Sequence, residues 1–523
     1  MFMDLKNKQI KEQYEHNRTI KFISLLLIFF SFVIVVFSFR SNPFSHLLNG
    51  HDSSMFIYFG RGIKDGFVPY NDMFDHKGIF LFIFQYLGIV LGFGNDSLGI
   101  WILECLFYGL SLIYIYKILM YFIKDTIVSS TTIVLYTGII LSSFDFGNYS
   151  EEFALPFITI SLYLFAKIWL ETTNSSWNLF FIGICGGITF FIRPNMIALW
   201  IVFCLLLLIR NVFKKEYSVL RKQILYIFMG GMLICLTVLV YSLINENLKE
   251  MVYQTFILNV QYSSSSVGEK ILTAKSFFQF MTDYGILAFM FPFITLLIVN
   301  PQNLQKKFRV FYVILFIYLL VNFFTVIMSG RFYTHYFITM FPGLILATGI
   351  GFDWCLRQFD LALNKKIICI LLLFVLTLSH SESAFKDYVK QTNNNIPNEK
   401  IDSLVAKEAE YIKMHSTKSD RIYVHNISAS IYNISDRYSN SKFFKLPSLD
   451  YLKFRNLKEE FTDKLYENPP KFIVVGRQTY LNKETLTDTK LDKTVVTAVK
   501  ENYQVIPEYE ETDYMVFQLK SSN

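Results

Sequence analysis

The sequence predicts a mainly α, polytopic membrane protein that carries a small soluble α/β domain at its C-terminus. Three observations lead to this fold class: an apolar composition, a series of apolar runs of bilayer length, and a polar C-terminal tail. Of the 523 residues, 53% are hydrophobic and 18% aromatic, whereas 17% are charged. Charged residues make up about a quarter of an average soluble domain, so the composition disfavours a purely soluble enzyme and a disordered chain. The net charge of +7 is modest and scattered, and does not indicate a partner nucleic acid.

A membrane-spanning helix needs roughly 20 mostly apolar residues. The first such run covers 22–39, and further candidates cover 99–120, 126–144, 153–170, 178–192, 196–211, 224–244, 281–299, 309–328, 333–351 and 366–383. The stretch 79–93 is also apolar, but it is short and is interrupted or bordered by Gly88, Gly92 and Gly94. We therefore predict that it is a re-entrant or surface helix, and that the chain crosses the membrane about eleven times.

The basic residues predict the orientation of these spans, because Lys and Arg are enriched in cytoplasmic loops. With 79–93 excluded from the spans, the basic clusters at 210–222, 306–309 and 357–366 all lie on one side, which is then the cytoplasm. The N-terminus lies on that side too, and the C-terminal tail lies outside. The first run is interpreted as a retained helix, since it is long for a signal peptide and no small-residue cleavage site follows it.

The tail differs in composition from about Ala384 onward, where Lys, Asp, Glu, Asn and Ser become frequent. We predict a membrane domain over 1–383 and an extracytoplasmic α/β domain over 384–523. In the tail, helices are predicted at 397–417 and 451–466, and strands at 421–424, 471–475 and 514–519. All six cysteines lie in or beside membrane segments, so the outer domain has no disulfide framework.

The first predicted outer loop, 40–78, is rich in ionisable groups close to the membrane. Asp52 follows the first span by about a dozen residues, and taken alone it is typical of a solvated loop acid. An ionisable group at the membrane is costly unless it has a partner or a task, and here it is one of several. The loop also contains His51, Tyr58, Asp65, Asp72, Asp75, His76 and Lys77. Such a cluster can tune the pKa of a general base, or hold a divalent cation through Asp52, Asp75 and His76.

Three later patches lie on the same predicted side. Glu151 and Glu152 open the next span, where they either stabilise a helix N-terminus or bind substrate. Arg193 and Asn195, on either side of Pro194, suit a tight turn, although a turn does not require an arginine. The last patch contains Arg331, Tyr333 and His335. Interfacial tyrosines are common, but Arg331 and His335, four residues apart, are predicted to share one face of a helix.

A sugar transferase on the outer side of a membrane has no access to nucleotide sugars, so a lipid-linked donor fits. Transfer requires a carboxylate that accepts the proton of the acceptor hydroxyl, and cations that neutralise the departing phosphate. Asp52 suits the base, and Lys77, Arg193 and Arg331 suit the phosphate. The spans suit the prenyl tail.

The order of these pieces resembles the GT-C membrane glycosyltransferases, most closely the lipid A aminoarabinose transferase and protein O-mannosyltransferase branch. The resemblance is carried by Asp52, Tyr58, the Gly66–Pro69 spacing and Asp75-His76-Lys77-Gly78, with Ile79 where many bacterial members have proline. It implies inverting transfer from a polyprenyl-phosphate monosaccharide, with Asp52 as catalytic base. The acid–lysine pair carries over onto Asp75 and Lys77, with Asp75 at a position that holds a divalent metal in some members.

The predicted function is therefore transfer of a monosaccharide to a cell-surface glycan such as teichoic acid, capsule or another wall polysaccharide, or to a protein. Phosphate binding is assigned to Lys77, Arg193, Arg331 and His335. Substrate binding is assigned to Tyr58, Asp72, His76, Glu151, Glu152, Asn195 and Tyr333. A polymerase or ligase of lipid-linked oligosaccharides is the alternative within enzymes. A flippase would instead show charges within its spans and pseudo-symmetric halves, and a scaffold would tolerate loss of Asp52. The abundance of Phe, Ile, Lys and Asn points to a Gram-positive cell membrane.

Overall fold

The computed structural model describes residues 2–45, 47–171, 175–262, 265–299, 304–358, 399–447, 449–481 and 486–520. These residues form two compact units. The helical unit takes its residues from Met1–Phe39, Leu103–Thr237 and Ser265–Val389, and the mixed unit from Arg40–Ile102, Val238–Ser264 and Lys390–Asn523. The predicted boundary at 383 falls outside the described residues, so the predicted domain division stays a prediction.

The helical unit is built from long apolar helices. Its α-helices, two of which continue into the mixed unit, are Phe2–Ser38, Asp96–Phe122, Thr126–Leu135, Thr137–Phe144, Ser150–Leu170, Ser176–Phe190, Ala198–Phe213, Tyr217–Ile244, Val267–Asp283, Ile286–Val299, Lys306–Ile327 and Phe341–Gln358. Short 3-10 helices cover Pro194–Met196 and Thr334–Met340. Large apolar side chains such as Phe228 (62% exposed) and Ile298 (78%) face outward, as they do on helices solvated by lipid.

Seven helices within the described ranges are long and apolar enough to cross a membrane: Arg18–Ser38, Asp96–Phe122, Thr126–Phe144, Ser150–Leu170, Tyr217–Ile244, Lys306–Ile327 and Thr334–Gln358. Helices Val267–Asp283 and Ile286–Val299 meet at 90° and would together count as an eighth. Two other predicted spans are short helices, Ser176–Phe190 and Ala198–Phe213, and the span at 366–383 lies outside the described residues. The count of eleven therefore stays a prediction.

The mixed unit contains a five-stranded sheet: β1 (Arg421–His425), β2 (Tyr438–Ser439), β3 (Phe472–Gly476), β4 (Tyr503–Val505) and β5 (Tyr514–Leu519). The order is β2-β1-β3-β5-β4; β1 is parallel to β2 and β3, and β5 is antiparallel to β3 and β4. Its helices are His51–Lys64, Ile79–Leu91, Leu248–Val252, Leu258–Tyr262, Glu399–Met414, Ser430–Ser435, Arg455–Glu467, Arg477–Leu481 and Asp492–Asn502, with a π-helix over Tyr253–Ile257 and a 3-10 helix over Pro507–Tyr509. The predicted fold class, mainly α with a small C-terminal α/β domain, is confirmed.

One hydrophobic core joins the sheet to segments that precede it by hundreds of residues. Phe74 of the first predicted loop and Leu258 are buried together with Phe443, Ile473 and Phe517. The segment between 245 and 280, which the predicted topology assigns to an outer loop, is largely helical, and its side of the membrane stays a prediction. The apolar side chains of Met251, Leu258 and Phe277 drive this folding, since each is buried.

Candidate active site

Asp52 lies in the first turn of helix His51–Lys64, which begins after Gly50. A carboxylate is favourable at this end of a helix, because the free backbone N–H groups give it partial positive charge. The Asp52 side chain is 31% exposed, and its Oδ1 lies 4.0 Å from Nζ of Lys445, which is 16% exposed. Asp52 is thus both accessible to a substrate and held by a cation.

The segment that follows this helix holds the acid–lysine pair predicted from sequence. Oδ1 of Asp75 accepts a hydrogen bond from the backbone N–H of Lys77 at 2.9 Å and lies 3.6 Å from the Lys77 ammonium. Burial would raise the pKa of Asp75, but the charges of Lys77 and His76 hold that pKa below its ordinary value. The Lys77 ammonium also lies 4.9 Å from the centre of the Phe56 ring. The Asp75 side chain is therefore both buried and ionised.

Polar side chains from the Val238–Ser264 part of the mixed unit fix the backbone around this pair. Gln254 accepts a hydrogen bond from the N–H of Asp75 at 3.2 Å, and Asn259 donates to the carbonyl of His76 at 2.7 Å. The hydroxyl of Tyr70 donates to the carbonyl of Lys77 at 2.9 Å. The backbone of 75–77 is thereby held from several directions, as a preorganised site requires.

Tyr58 and Asp72 were predicted to bind substrate. Both side chains accept hydrogen bonds from the backbone of this protein. Tyr58 is 2% exposed, its hydroxyl accepts a hydrogen bond from the N–H of Ser439, and its ring stacks on Phe444 at 4.0 Å. Asp72 is exposed and accepts a hydrogen bond from the N–H of Val68, which closes its own loop. Substrate contact by these two residues stays a prediction, and the burial of Tyr58 favours a packing role.

In the helical unit, a strained loop places Glu151 and Glu152 at the start of helix Ser150–Leu170. Asp145, Phe146, Gly147 and Asn148 all have positive φ angles. A Cβ at Gly147 would collide with the Glu104 carboxylate and the Phe39 ring, so only glycine fits there. The resulting turn brings the N–H of Asn148 to within 2.9 Å of Oε2 of Glu152.

Arg193 is held by Glu151 and Tyr336. Its guanidinium donates to Oε1 of Glu151 at 2.5 Å and to the Tyr336 hydroxyl at 2.9 Å. The side chains of Glu151 and Arg193 are 3% and 12% exposed. A small, partly open pocket lies beside this pair and is lined by Glu151, Asn195, Met196, Thr325, Val326, Tyr336 and Thr339. Glu151, Arg193 and Asn195, chosen separately from sequence, thus belong to one cluster.

The prediction that Arg331 and His335 share a helix face is wrong. The 3-10 helix begins at Thr334, and Tyr333 before it is in an extended conformation. His335 instead stacks on the ring of Tyr149, with centroids 4.0 Å apart and planes at 10°. Tyr333 also stacks on His335, with ring centroids 5.5 Å apart. His335 and Tyr333 therefore belong to an aromatic cluster that also includes Tyr336.

The predicted residues accordingly fall into two groups. Asp52, Tyr58, Asp72, Asp75, His76 and Lys77 lie in the mixed unit, and Glu151, Glu152, Arg193, Asn195, Arg331, Tyr333 and His335 lie in the helical unit. Within the described parts of the chain, no three His, Cys, Asp or Glu side chains come together as a metal-binding group. Metal binding at Asp75 therefore stays a prediction and enters no step below.

Sequence reasoning missed Lys445 and Glu104. Lys445 lies in a polar tail with many lysines, so its sequence gives no signal that it meets Asp52. Glu104 is fully buried in helix Asp96–Phe122, and an acid in the middle of an apolar span was the signal that could have identified it.

Comparison with protein families gives two matches. Residues 12–360 match the model described as "Putative competence-induced protein Ccs4 N-terminal domain", and residues 405–520 match the corresponding Ccs4 C-terminal domain. The chain belongs to the Ccs4 family. A comparison with curated proteins gives no match.

Solved structures with the same fold come from bacteria and archaea. ArnT from Cupriavidus metallidurans, bound to undecaprenyl phosphate, matches with a TM-score of 0.63 and 13% identity over 95% of this chain and 98% of that chain. The apo state of the same ArnT matches with a TM-score of 0.59 and 12% identity over 94% of this chain and 97% of that chain. The Archaeoglobus fulgidus oligosaccharyltransferase, tethered with an acceptor peptide, matches with a TM-score of 0.51 and 11% identity over 96% of this chain and 74% of that chain.

Both proteins have the GT-C fold, so the GT-C resemblance predicted from the sequence is confirmed at the level of fold. Together with the apolar helices, this fold makes the Ccs4-family chain a multi-pass membrane protein.

Proposed function

We propose that this chain is an inverting glycosyltransferase that uses a polyprenyl-phosphate sugar and transfers a monosaccharide on the outer face of the membrane. The proposal rests on the fold, which it shares with ArnT and with an oligosaccharyltransferase, and on one observation in particular. Asp52 is a partly exposed carboxylate at a helix N-terminus, in the same unit as the buried Asp75–Lys77 pair. A partly exposed acid in the same unit as a fixed acid–lysine pair fits this reaction, which needs a base for the acceptor hydroxyl and a cation for the leaving phosphate.

Asp52 acts as the general base. As the acceptor hydroxyl attacks the anomeric carbon, its proton passes to the Asp52 carboxylate, and the bond from that carbon to the donor phosphate breaks. The polyprenyl phosphate leaves with the bonding electrons, and the configuration at the anomeric carbon inverts. A positioned general base contributes about 10²–10⁴-fold to such a step.

Cations receive the departing phosphate. Lys77, which lies in the same unit as Asp52, is the candidate, whereas phosphate binding by Arg193, Arg331 and His335 stays a prediction from the sequence. Fixed cations stabilise the negative charge that develops on the leaving group. The ArnT structure was obtained with undecaprenyl phosphate, which supports a donor or product of this class.

Asp72 and His76, which lie in the same unit as Asp52, bind sugar hydroxyls, and sugar binding by Glu151, Glu152, Asn195 and Tyr333 stays a prediction from the sequence. The acceptor is a cell-surface glycan such as teichoic acid, capsule or another wall polysaccharide. The N-terminus is cytoplasmic, the C-terminal domain is extracytoplasmic, and the host is a Gram-positive bacterium.

The test is transfer by the purified full-length protein with a panel of undecaprenyl-phosphate monosaccharides and wall polysaccharide as acceptor. We expect Asp52→Asn to lower kcat at least about 100-fold while the protein remains folded in detergent. Asp65→Asn, at the other end of the same helix, is the matched control and should keep wild-type activity. Full activity of Asp52→Asn would overturn the proposal, and products extended by whole oligosaccharides would favour a polymerase or ligase.

A further inference from the structure

The C-terminal part of the chain contacts the helix that carries Asp52. The Phe444 ring stacks on Tyr58 at 4.0 Å, and the N–H of Ser439 donates to the Tyr58 hydroxyl at 3.0 Å. The carbonyl of Lys442 accepts a hydrogen bond from the N–H of Phe74 at 2.9 Å. The segment 439–444 is therefore fixed against both the Asp52 helix and the loop that leads to Asp75.

Lys445 follows directly on this fixed segment. Its ammonium lies 4.0 Å from Oδ1 of Asp52, and both side chains keep partial access to solvent. Because Phe444 is anchored by stacking, the backbone of Lys445 has a defined place, and its ammonium needs only side-chain ordering to meet Asp52.

The other cations of this region are engaged elsewhere. Lys77 pairs with Asp75 at 3.6 Å, and Lys442 pairs with Glu460 at 2.7 Å and with Glu250 at 3.5 Å. His51 is next to Asp52 in sequence, but desolvation by the surrounding protein and the charge of Lys445 lower the pKa of His51 to about 4, although part of its surface is exposed. His51 is thus neutral at physiological pH and supplies no charge to Asp52.

We propose that Lys445 is a positioning residue that keeps the Asp52 carboxylate ionised and oriented, so that the C-terminal domain completes the active site. This inference rests on the proposed role of Asp52 as base. A base must be deprotonated before it can accept the acceptor proton, and a cation close to a carboxyl favours its ionised form.

The pH dependence of this effect has a definite direction. Burial lowers the pKa of Lys445 to about 8; the carboxylates of Asp52 and Asp75 raise it, and the Lys77 ammonium lowers it. Lys445 is therefore charged below about pH 8, and it favours the ionised form of Asp52 throughout the acidic range. Above pH 8 Lys445 loses its charge, but Asp52 is then ionised in any case. The effect of Lys445 is confined to the acidic limb of the activity profile.

The experiment measures the protonation of Asp52 directly. A water-soluble carbodiimide labels protonated carboxyl groups, and mass spectrometry of the full-length protein gives the pH at which labelling of Asp52 is half complete. We expect Lys445→Met to move this midpoint upward by about one pH unit, and to move the acidic limb of kcat/KM in the transfer assay by the same amount. Lys445→Arg should restore both to wild-type values, because the charge is kept.

Lys442→Met is the matched control, since it removes a similarly buried lysine three residues away that pairs with other acids. An unchanged Asp52 midpoint in Lys445→Met, or an equal change in Lys442→Met, would overturn the inference. A loss of activity that is uniform across pH would also contradict it, since that is the result of a purely structural role. Failure of the proposed function is recognised separately, by full activity of Asp52→Asn.

Discussion

Each of the two units contains an ion pair between a carboxylate and a basic side chain, and the two pairs differ in distance and burial. Glu151 and Arg193 in the helical unit are 2.5 Å apart, are 3% and 12% exposed, and share a further hydrogen bond with Tyr336. Asp52 and Lys445 in the mixed unit are 4.0 Å apart and are 31% and 16% exposed. A buried pair is costly to break, because one charge is left without compensation, whereas a partly exposed pair can exchange its partner for water or a ligand. The first pair suits a fixed framework, and the second suits a reaction in which a proton moves.

The largest expected effect follows from removing the Arg193 side chain. Arg193→Met leaves the Glu151 carboxylate buried without its cation, and we expect a loss of about 3–5 kcal/mol in the free energy of unfolding. Denaturant unfolding of the detergent-purified protein measures this. The double variant Glu151→Gln with Arg193→Met removes both charges and should regain much of the loss. A loss below about 1 kcal/mol would show that the pair is as exchangeable as Asp52–Lys445.

Glu408 extends the comparison to an acid without a partner. It lies in helix Glu399–Met414 with no exposed surface, and neither carboxyl oxygen has a hydrogen-bond partner among the residues that the structure describes. Burial raises the pKa of Glu408 from 4.5 to about 9. In the unfolded chain this group ionises near pH 4.5, so between pH 4.5 and 9 the unfolded state binds fewer protons and stability falls as the pH rises.

Glu408→Gln removes this pH dependence. We expect the variant to be more stable than the wild type by up to about 3 kcal/mol at pH 7, and equal to it near pH 4. Unfolding curves of the two proteins across this pH range test the prediction. A constant difference between them at every pH would show that Glu408 does not change its charge on unfolding.

The sequence was sufficient for the fold class and for pairs that are close in the chain. Apolar runs identified the membrane helices, and Asp75 and Lys77 were predicted together because only His76 lies between them. Glu151 and Arg193 were both chosen as site residues, but their contact was not, since it depends on the packing of helix Ser150–Leu170 against the turn at 193–195. The error at Arg331 and His335 came from extending a helical period through residues that precede the 3-10 helix.

The contact between Lys445 and Asp52 could not be predicted from the sequence, for a different reason. A lysine in a polar tail has the same local pattern whether it is solvated or meets a distant carboxylate. Its place depends on the stacking of Phe444 on Tyr58, which is a tertiary contact between segments at opposite ends of the chain. Side-chain composition predicts that such a tail forms a domain, but not which of its charges faces another segment.

The smallest expected effect concerns the stability of the Asp52–Lys445 pair itself. Lys445→Met should change the free energy of unfolding at pH 7 by no more than about 1 kcal/mol, because both side chains are partly exposed and water can replace the lost partner. The measurement is the same denaturant unfolding as for Arg193→Met, and Lys445→Arg serves as the control that keeps the charge. If Lys445→Met instead lost several kcal/mol, the pair would be part of the framework, and its effect on activity could not be assigned to the charge of Asp52. A small loss of stability combined with a shifted acidic limb would separate the two roles.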